Sequence, residues 1–527
     1  MSDMFPQTTS KTFFPSTFLI VLLLALACGV TFLNSLGSEF MMDDYCILRL
    51  QAERTPLRFL QLTPETFSAD IYFRPLMHFI HFVTVRAFGL KTYFYTLANL
   101  LIFYFAGATL YFVLRRVLRD WRPAFLASLF FLIHPMNGVF VNYKNVTGFS
   151  VMMLAVNLSF LLFLKSEEGG RKMLKLSSLC LFVVGLFCHE MMVMVPFYLG
   201  ALLYAGGRDS IKIILKKTAP FFIILLIYVP LRFFGMTFAS LLSANAARME
   251  LSVPLYLSAL ARLFGGYILR LVSLQRIVLI WDAPVVSQGA WVAAGILLAC
   301  LAAGLGFIVR CRDRGPFVLG VSWMMLGLAP VALASLTRAD FGVYIEPHWL
   351  PYASTGFFII LAALLLRLRQ ASPKLGIAAL GLILFFQMFR SIEYNFLWRN
   401  QKRYCSYWQT VAPQNYWVNL WLGLSYLSGQ EYLKARDCFE RILARGIENK
   451  DTLGNMAIAE FHLKNYDRAL KFFNRSLALF PDEPKTCEYL GRIYLIKGET
   501  PKAQEYFKKA RDRRQSFPSR FPPSVSK

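Results

Sequence analysis

The chain has 527 residues, of which 56% are hydrophobic, 16% aromatic and only 17% charged. This composition indicates a lipid environment and excludes an ordinary set of soluble domains. The formal net charge is +25. Because the basic residues stand in short clusters between apolar runs, they set the orientation of a membrane protein, and we expect no nucleic-acid partner.

Apolar runs near or above about 18 residues, the length that crosses a hydrocarbon core, recur from Thr17 to Ser391. They predict an all-α, polytopic transmembrane domain over residues 1–398. Its eleven predicted spans are 17–36, 93–114, 123–140, 147–164, 174–188, 191–205, 218–236, 288–309, 316–335, 350–366 and 374–392.

Clusters of lysine and arginine occupy alternate connections between the predicted spans, which places those connections in the cytoplasm. The opposite side holds two long outer loops, 37–92 and 237–287, whose apolar stretches predict helices along the membrane surface. An odd number of spans then puts the C-terminal part outside. We expect a bacterial inner-membrane protein with a periplasmic C-terminal part, or an ER membrane protein with a luminal one.

A 34-residue period is present after the last predicted span. A large apolar residue followed by a small one recurs at Leu422-Gly423, Met456-Ala457 and Leu490-Gly491. Alanines recur at 435, 469 and 503, and phenylalanines at 439, 473 and 507. This spacing predicts three tetratricopeptide (TPR) repeats over 415–514, forming an α-solenoid, followed by a basic, proline-containing tail over 515–527. Repeat surfaces usually bind a partner, so we expect the repeats to hold an acceptor protein or a second enzyme.

Two adjacent carboxylates, Asp43 and Asp44, come directly after the first predicted span. Keeping two charges at a lipid boundary is costly, which favours a task such as proton abstraction or metal binding. The alternative is a pair of solvated loop acids that cap the next helix. Both interpretations stay open from position alone.

Other polar groups concentrate at the predicted outer ends of the spans. Glu190 has no charged neighbour closer than Lys175 and Arg208, so it is either neutral or partnered by another helix. Five of the six histidines fall on this side. None has an HExxH or similar spacing, so we expect hydrogen-bonded roles for them; no cofactor is implied, and a divalent metal stays open. The further site candidates are Arg74, Lys144, His189, Arg338, Glu346 and His348.

The acidic pair after span one, the long first outer loop and the number of spans resemble the membrane-embedded GT-C glycosyltransferases, such as protein O-mannosyltransferases, the lipid A aminoarabinose transferase and oligosaccharyltransferases. The chain most resembles the transmembrane and TPR repeat-containing O-mannosyltransferases and their bacterial relatives. The motifs that carry this resemblance are Asp43-Asp44-Tyr45, Tyr72-Phe73-Arg74-Pro75-Leu76, Ile133-His134-Pro135, His189-Glu190, Leu350-Pro351-Tyr352-Ala353-Ser354-Thr355-Gly356-Phe357 and Trp398-Arg399-Asn400.

The resemblance implies a polyprenyl-phosphate-linked sugar as donor, a protein or glycan hydroxyl as acceptor, and inversion at the anomeric carbon on the non-cytoplasmic side. Such a hydroxyl needs a base, for which we predict Asp43 with Asp44 as its support. Cationic groups would stabilise the leaving phosphate, and Glu190 would either orient one of them or assist the acceptor. The candidates for that cation are Arg74, Lys144, His189 and Arg338. The alternative function is a non-catalytic, membrane-anchored TPR scaffold for envelope or secretory assembly.

Overall fold

The structure, a computed structural model, describes residues 15–45, 74–207, 209–233, 253–283, 314–336, 343–481 and 483–516. The chain divides into two compact units, Met1–Trp398 and Arg399–Lys527. The boundary coincides with the change from apolar runs to the 34-residue period.

The first unit is built from helices and two short strands. The helices are α1 (Thr17–Phe32), α2 (Pro75–Phe88), α3 (Thr92–Leu118), α4 (Trp121–Ile133), α5 (Val139–Asn142), α6 (Thr147–Gly169), α7 (Lys172–Cys188), α8 (Val195–Ala205), α9 (Ile211–Phe233), α10 (Val253–Ser273), α11 (Gly315–Leu336), α12 (Pro351–Ala371) and α13 (Pro373–Leu397). The strands β1 (Trp281–Ala283) and β2 (Val343–Ile345) pair antiparallel. Short 3-10 turns join several helices, including Met42–Asp44, Lys144–Val146 and Glu190–Met194.

Seven helices of the described ranges are long and apolar enough to cross a membrane, and an eighth span results if the bent pair Trp121–Ile133 and Pro135–Asn142 is counted as one. The chain is an integral, multi-pass membrane protein, and the predicted fold class is confirmed. The predicted spans 174–188 and 191–205 coincide with α7 and α8, which are shorter helices of 17 and 11 residues. The predicted span 288–309 lies outside the described residues.

Hydrogen bonds between asparagine side chains link α1 and α5 to α13. Asn142 Nδ2 donates to Asn395 Oδ1 at 2.8 Å, and Asn395 Nδ2 donates to Asn34 Oδ1 at 2.9 Å and to the Thr31 carbonyl at 2.8 Å. Asn34 in turn donates to the Ile392 carbonyl at 3.0 Å. Buried amides are costly unless bonded in this way, so the network fixes how the three helices meet.

The second unit is a stack of helix pairs. Its helices are α14 (Gln401–Val411), α15 (Tyr416–Ser428), α16 (Tyr432–Leu443), α17 (Lys450–His462), α18 (Tyr466–Leu479), α19 (Pro484–Ile496) and α20 (Thr500–Ser516). A Cβ placed on Gly423 would lie 2.6 Å from the Phe439 ring, and one on Gly491 would lie 2.8 Å from the Phe507 ring. The periodic small residues therefore let the two helices of a repeat cross closely.

A second periodic contact joins the two helices of each repeat. Lys434 Nζ lies 5.6 Å from the centroid of the Tyr426 ring, and Lys502 Nζ lies 5.3 Å from that of Tyr494. At the equivalent positions of the middle repeat, Arg468 Nη1 is 2.9 Å from the buried Glu460. The register of the repeats is thus retained although the chemistry of the pair changes. The predicted tail begins within α20, and its residues 517–527 lie outside the described residues.

Candidate functional site

A strained turn follows the first spanning helix. Met42 is buried and has a φ of 51°. This left-handed conformation costs a residue with a side chain about 1–3 kcal/mol. After the turn the two carboxylates have opposite environments, since Asp43 is exposed and Asp44 is fully buried.

Asp44 is anchored through both of its oxygens. The backbone N–H of Asn145 donates to Oδ1 at 2.7 Å, and that of Met41 donates to Oδ2 at 3.1 Å. Burial raises the pKa of Asp44 to about 7, while Lys144 and the two N–H groups act in the opposite direction. The Asp44 side chain links the turn to the segment that precedes α6. Because it is fully buried, it is not placed to contact an incoming molecule.

Asp43 lies near the phenol of the buried Tyr143 and raises the pKa of that phenol. Burial, and after it the nearby carboxylates Asp43, Asp44 and Glu346, raise the pKa of Tyr143 well above its usual range. The phenol therefore keeps its proton. Asp43 is thus an exposed carboxylate beside a neutral, buried phenol.

Lys144 is fully buried beside this turn. Its Nζ lies 2.7 Å from Ser38 Oγ, 2.7 Å from the Glu39 carbonyl, 3.0 Å from the Asn142 carbonyl and 3.2 Å from the Ser38 carbonyl. An ammonium has three N–H donors, and four oxygens of the chain already surround them. Lys144 thus anchors the turn through these oxygens, and its role toward a leaving phosphate stays a prediction.

Arg74 and Glu190 form a bidentate ion pair across 116 positions of sequence. Arg74 Nε donates to Oε2 at 2.9 Å and Nη2 donates to Oε1 at 2.6 Å. The Arg74 side chain is 12% exposed and that of Glu190 is 35% exposed, so the pair opens to one side. The expected partner of Glu190 on another helix is Arg74, at the start of α2.

His189 lies next to this pair and ends α7. Its Nδ1 accepts the backbone N–H of Met191 at 3.2 Å, and its Nε2 is 3.8 Å from Glu190 Oε1. The Phe149 ring packs on the His189 ring at 3.7 Å between centroids. Arg74 Cζ lies 5.6 Å from the centroid of the same phenylalanine ring.

A second ionisable pair continues the cluster on the other side of Phe149. His348 Nε2 is 3.2 Å from Glu346 Oε2, and both side chains are largely buried. The His348 ring lies 4.9 Å from that of Phe149 and 6.4 Å from that of Tyr143. A contiguous set of contacts therefore links the Arg74 pair to Tyr143, the residue before Lys144.

His134, from the His-Pro motif, links two helices through hydrogen bonds of its ring to backbone groups. Its Nδ1 accepts the backbone N–H of Met136 at 3.2 Å, so its Nε2 carries the proton and donates to the Leu271 carbonyl at 3.1 Å. The side chain is fully buried and joins the end of α4 to the end of α10.

One sequence candidate remains. Arg338 lies outside the described residues. Within the part of the chain that the structure describes, no three histidine, cysteine or carboxylate groups are arranged to hold a metal ion.

Sequence reasoning missed the two aromatic residues that connect the cluster, Tyr143 and Phe149. The available signal was the polar run Asn142-Tyr143-Lys144-Asn145 in a short connection between apolar spans. Asn142, Lys144 and Asn145 of that run contact either the asparagine network or the segment that carries the acidic pair. Nothing in the sequence marks Phe149 apart from other phenylalanines of the spans.

Comparison with known proteins identifies the C-terminal unit. A family model described as tetratricopeptide repeat matches residues 448–516. Over 108 residues the chain is 32% identical to a TPR repeat-containing protein of Methanocaldococcus jannaschii, an alignment that covers 20% of this chain and 18% of that protein. The chain thus spans less than a fifth of the length of this curated relative. The predicted TPR character of the C-terminal region is confirmed.

Among solved structures, the crystal structure of ArnT from Cupriavidus metallidurans bound to undecaprenyl phosphate is similar over 97% of this chain and 90% of ArnT, with a TM-score of 0.36 and 13% sequence identity. The chemistry of the membrane unit has to be argued from its own residues.

Proposed function

We propose that this protein is a membrane glycosyltransferase that moves a sugar from a polyprenyl-phosphate donor to a hydroxyl of a protein or glycan, with inversion. The observation that carries the proposal is the exposed carboxylate of Asp43 on a strained turn after the first spanning helix, a turn that Asp44 fixes through two backbone hydrogen bonds. Strained, over-determined backbone of this kind is typical of functional sites.

Asp43 acts as the general base. The acceptor hydroxyl gives its proton to the Asp43 carboxylate while its oxygen forms a bond to the anomeric carbon. The bond from that carbon to the phosphate oxygen breaks, and polyprenyl phosphate leaves with the electron pair. Asp44 supports the reaction indirectly, because its two backbone hydrogen bonds fix the turn.

Arg74 stabilises the charge that develops on the leaving phosphate. Its guanidinium is oriented by the bidentate bond to Glu190 and packs against Phe149. A pre-oriented cation needs no reorganisation as the charge appears, which is the main source of such stabilisation. His189, His348 and Glu346 continue the same cluster, and Arg338 stays a candidate from sequence.

The repeats bind the acceptor or a partner enzyme. Both this unit and the acidic pair lie on the non-cytoplasmic side if the basic connections set the orientation as proposed. In a bacterium this compartment is the periplasm, and in a eukaryote it is the ER lumen. Donor lipid and acceptor then reach the site from the bilayer and from the aqueous side respectively.

The test uses full-length protein in lipid nanodiscs with a panel of radiolabelled sugars on undecaprenyl and dolichyl phosphate, plus membrane and secreted protein fractions as acceptors. We expect label in a protein or glycan together with free polyprenyl phosphate. Asp43→Asn should lower turnover by about 10²–10⁴, whereas Glu39→Gln, which changes an exposed acid on the same segment, should not. Wild-type turnover in Asp43→Asn would exclude it as the base.

The scaffold alternative makes a different prediction for the same experiment. A scaffold would transfer label from none of the donors, and Asp43→Asn would leave its partner proteins unchanged in a pull-down through the repeats.

A further inference from the structure

Phe149 is the residue at which three separate segments of the membrane unit meet. It is the third residue of α6, and its side chain is 3% exposed. Arg74 Cζ lies over its ring at 5.6 Å from the centroid, and the rings of His189 and His348 lie at 3.7 Å and 4.9 Å between centroids. These three groups come from the start of α2, the end of α7 and the turn before α12. One apolar ring therefore contacts an ionisable group from each segment.

The backbone that carries this ring is fixed against two neighbouring helices. A Cβ placed on Gly148 would lie 2.6 Å from Met77 Cγ, so the first turn of α6 packs directly on α2. Thr147 Oγ1 donates to Asn99 Oδ1 of α3 at 2.7 Å. A buried ring on a closely packed backbone stays in one rotamer. Phe149 therefore presents a surface with a defined position.

Arg74 needs such a surface in addition to its ion pair. The bidentate hydrogen bonds tie the guanidinium to the Glu190 carboxylate, but the Glu190 side chain is 35% exposed and is a less rigid support than a buried ring. A guanidinium within about 6 Å of a ring centroid is attracted by the negative face of the ring, and more strongly where water is excluded. The contact with Phe149 therefore adds a rigid support for the cation.

We propose that Phe149 is a positioning residue, which holds the Arg74 guanidinium at the place where the leaving phosphate develops its charge. This inference rests on the proposed role of Arg74 in sugar transfer. A cation that is already in place does not have to reorganise as the charge appears. The same ring contacts both histidines, so a shift of the ring would displace them together with Arg74.

The experiment changes the electron density of the ring and leaves its shape nearly unchanged. In the full-length protein, Phe149 is replaced by phenylalanine analogues that carry one, two or three ring fluorines. Each fluorine draws electron density from the ring face and weakens its attraction for a cation. We expect kcat to fall stepwise, by about tenfold for three fluorines, which is the size of one cation–ring contact. The donor KM should change less than kcat, because the lost stabilisation belongs to the charge that develops on the leaving group.

The matched control is the same series of analogues at Phe140. This residue is also buried, and its ring lies 6.0 Å from the Phe103 ring and 6.4 Å from the Phe149 ring, measured between centroids. Fluorination there should leave kcat at the wild-type value. An unchanged kcat across the Phe149 series would overturn the proposal. If the analogues are not incorporated, Phe149→Leu is compared with Phe140→Leu, and equal kcat values in these two variants would overturn it as well.

A second readout does not depend on sugar transfer. Thermal unfolding of the Phe149 series is measured in the wild type and in a background with both Arg74→Gln and Glu190→Gln, which removes the cation without leaving its carboxylate unpaired. Fluorination should lower the melting temperature more in the wild type than in this background, because the two contacts are coupled. Equal shifts would overturn the positioning role. Unequal shifts without transfer from any donor would retain the contact between Arg74 and Phe149 and refute the proposed function.

Discussion

Substituting the two neighbouring aspartates by asparagine should separate stability from activity. Asp44 accepts two backbone N–H groups with its two oxygens and lies near the buried Lys144. In Asp44→Asn, one N–H would face an NH₂ donor, and Lys144 would lose its opposite charge. Removing one member of a buried charged pair costs about 3–5 kcal/mol. Asp43 is exposed, so Asp43→Asn should change stability by about 0.5 kcal/mol or less.

The assay is thermal unfolding in detergent at pH 8, above the pKa of about 7 to which burial raises Asp44. A thiol-reactive dye is a suitable reporter in a Cys180→Ala background, since Cys180 is exposed whereas Cys28 and Cys188 are buried in the membrane unit. We expect Asp44→Asn to melt at least about 5 °C below wild type. The opposite result, a stable Asp44→Asn and an unstable Asp43→Asn, would refute the assignment of the buried anchor.

Three further predictions concern other parts of the chain. Lys144→Met should reduce thermal stability and yield without selectively raising the donor KM. Steady-state kinetics on the surviving protein would measure that KM. A raised donor KM at normal stability would instead support a role of Lys144 at the phosphate. Gly423→Ala should destabilise the repeats by about 1–3 kcal/mol, because the added methyl group would overpack against the facing phenylalanine. Gly454→Ala is the control and should not destabilise them, since a Cβ at Gly454 meets open space. Hydrogen exchange of the repeat helices in the full chain distinguishes the two variants. Reporter fusions after Leu118 and after Asn400 should give opposite compartment signals, because an odd number of predicted spans separates the two fusion points. Equal signals would mean that the number of spans between the two points is even.

Much of the architecture followed from patterns that are local in sequence. Apolar runs long enough to cross a bilayer predicted the spanning helices, because backbone polar groups in lipid must be satisfied within the helix. The 34-residue period predicted the repeats, because each repeat buries the same small and aromatic positions against its neighbour. The expectation that Glu190 has a partner on another helix came from the cost of an isolated charge in an apolar region, although the sequence did not reveal which cation it was.

The sequence by itself determined the spanning helices, the repeats and the presence of an acidic pair after the first span, since each depends on the residues of one segment. The tertiary structure decided which carboxylate of the pair faces outward, because that depends on a left-handed turn at Met42 and on backbone donors from residue 145. It also decided that Lys144 is an anchor and that Arg74 pairs with Glu190. These relations join segments about a hundred positions apart, and only the packing of the helices brings such segments together.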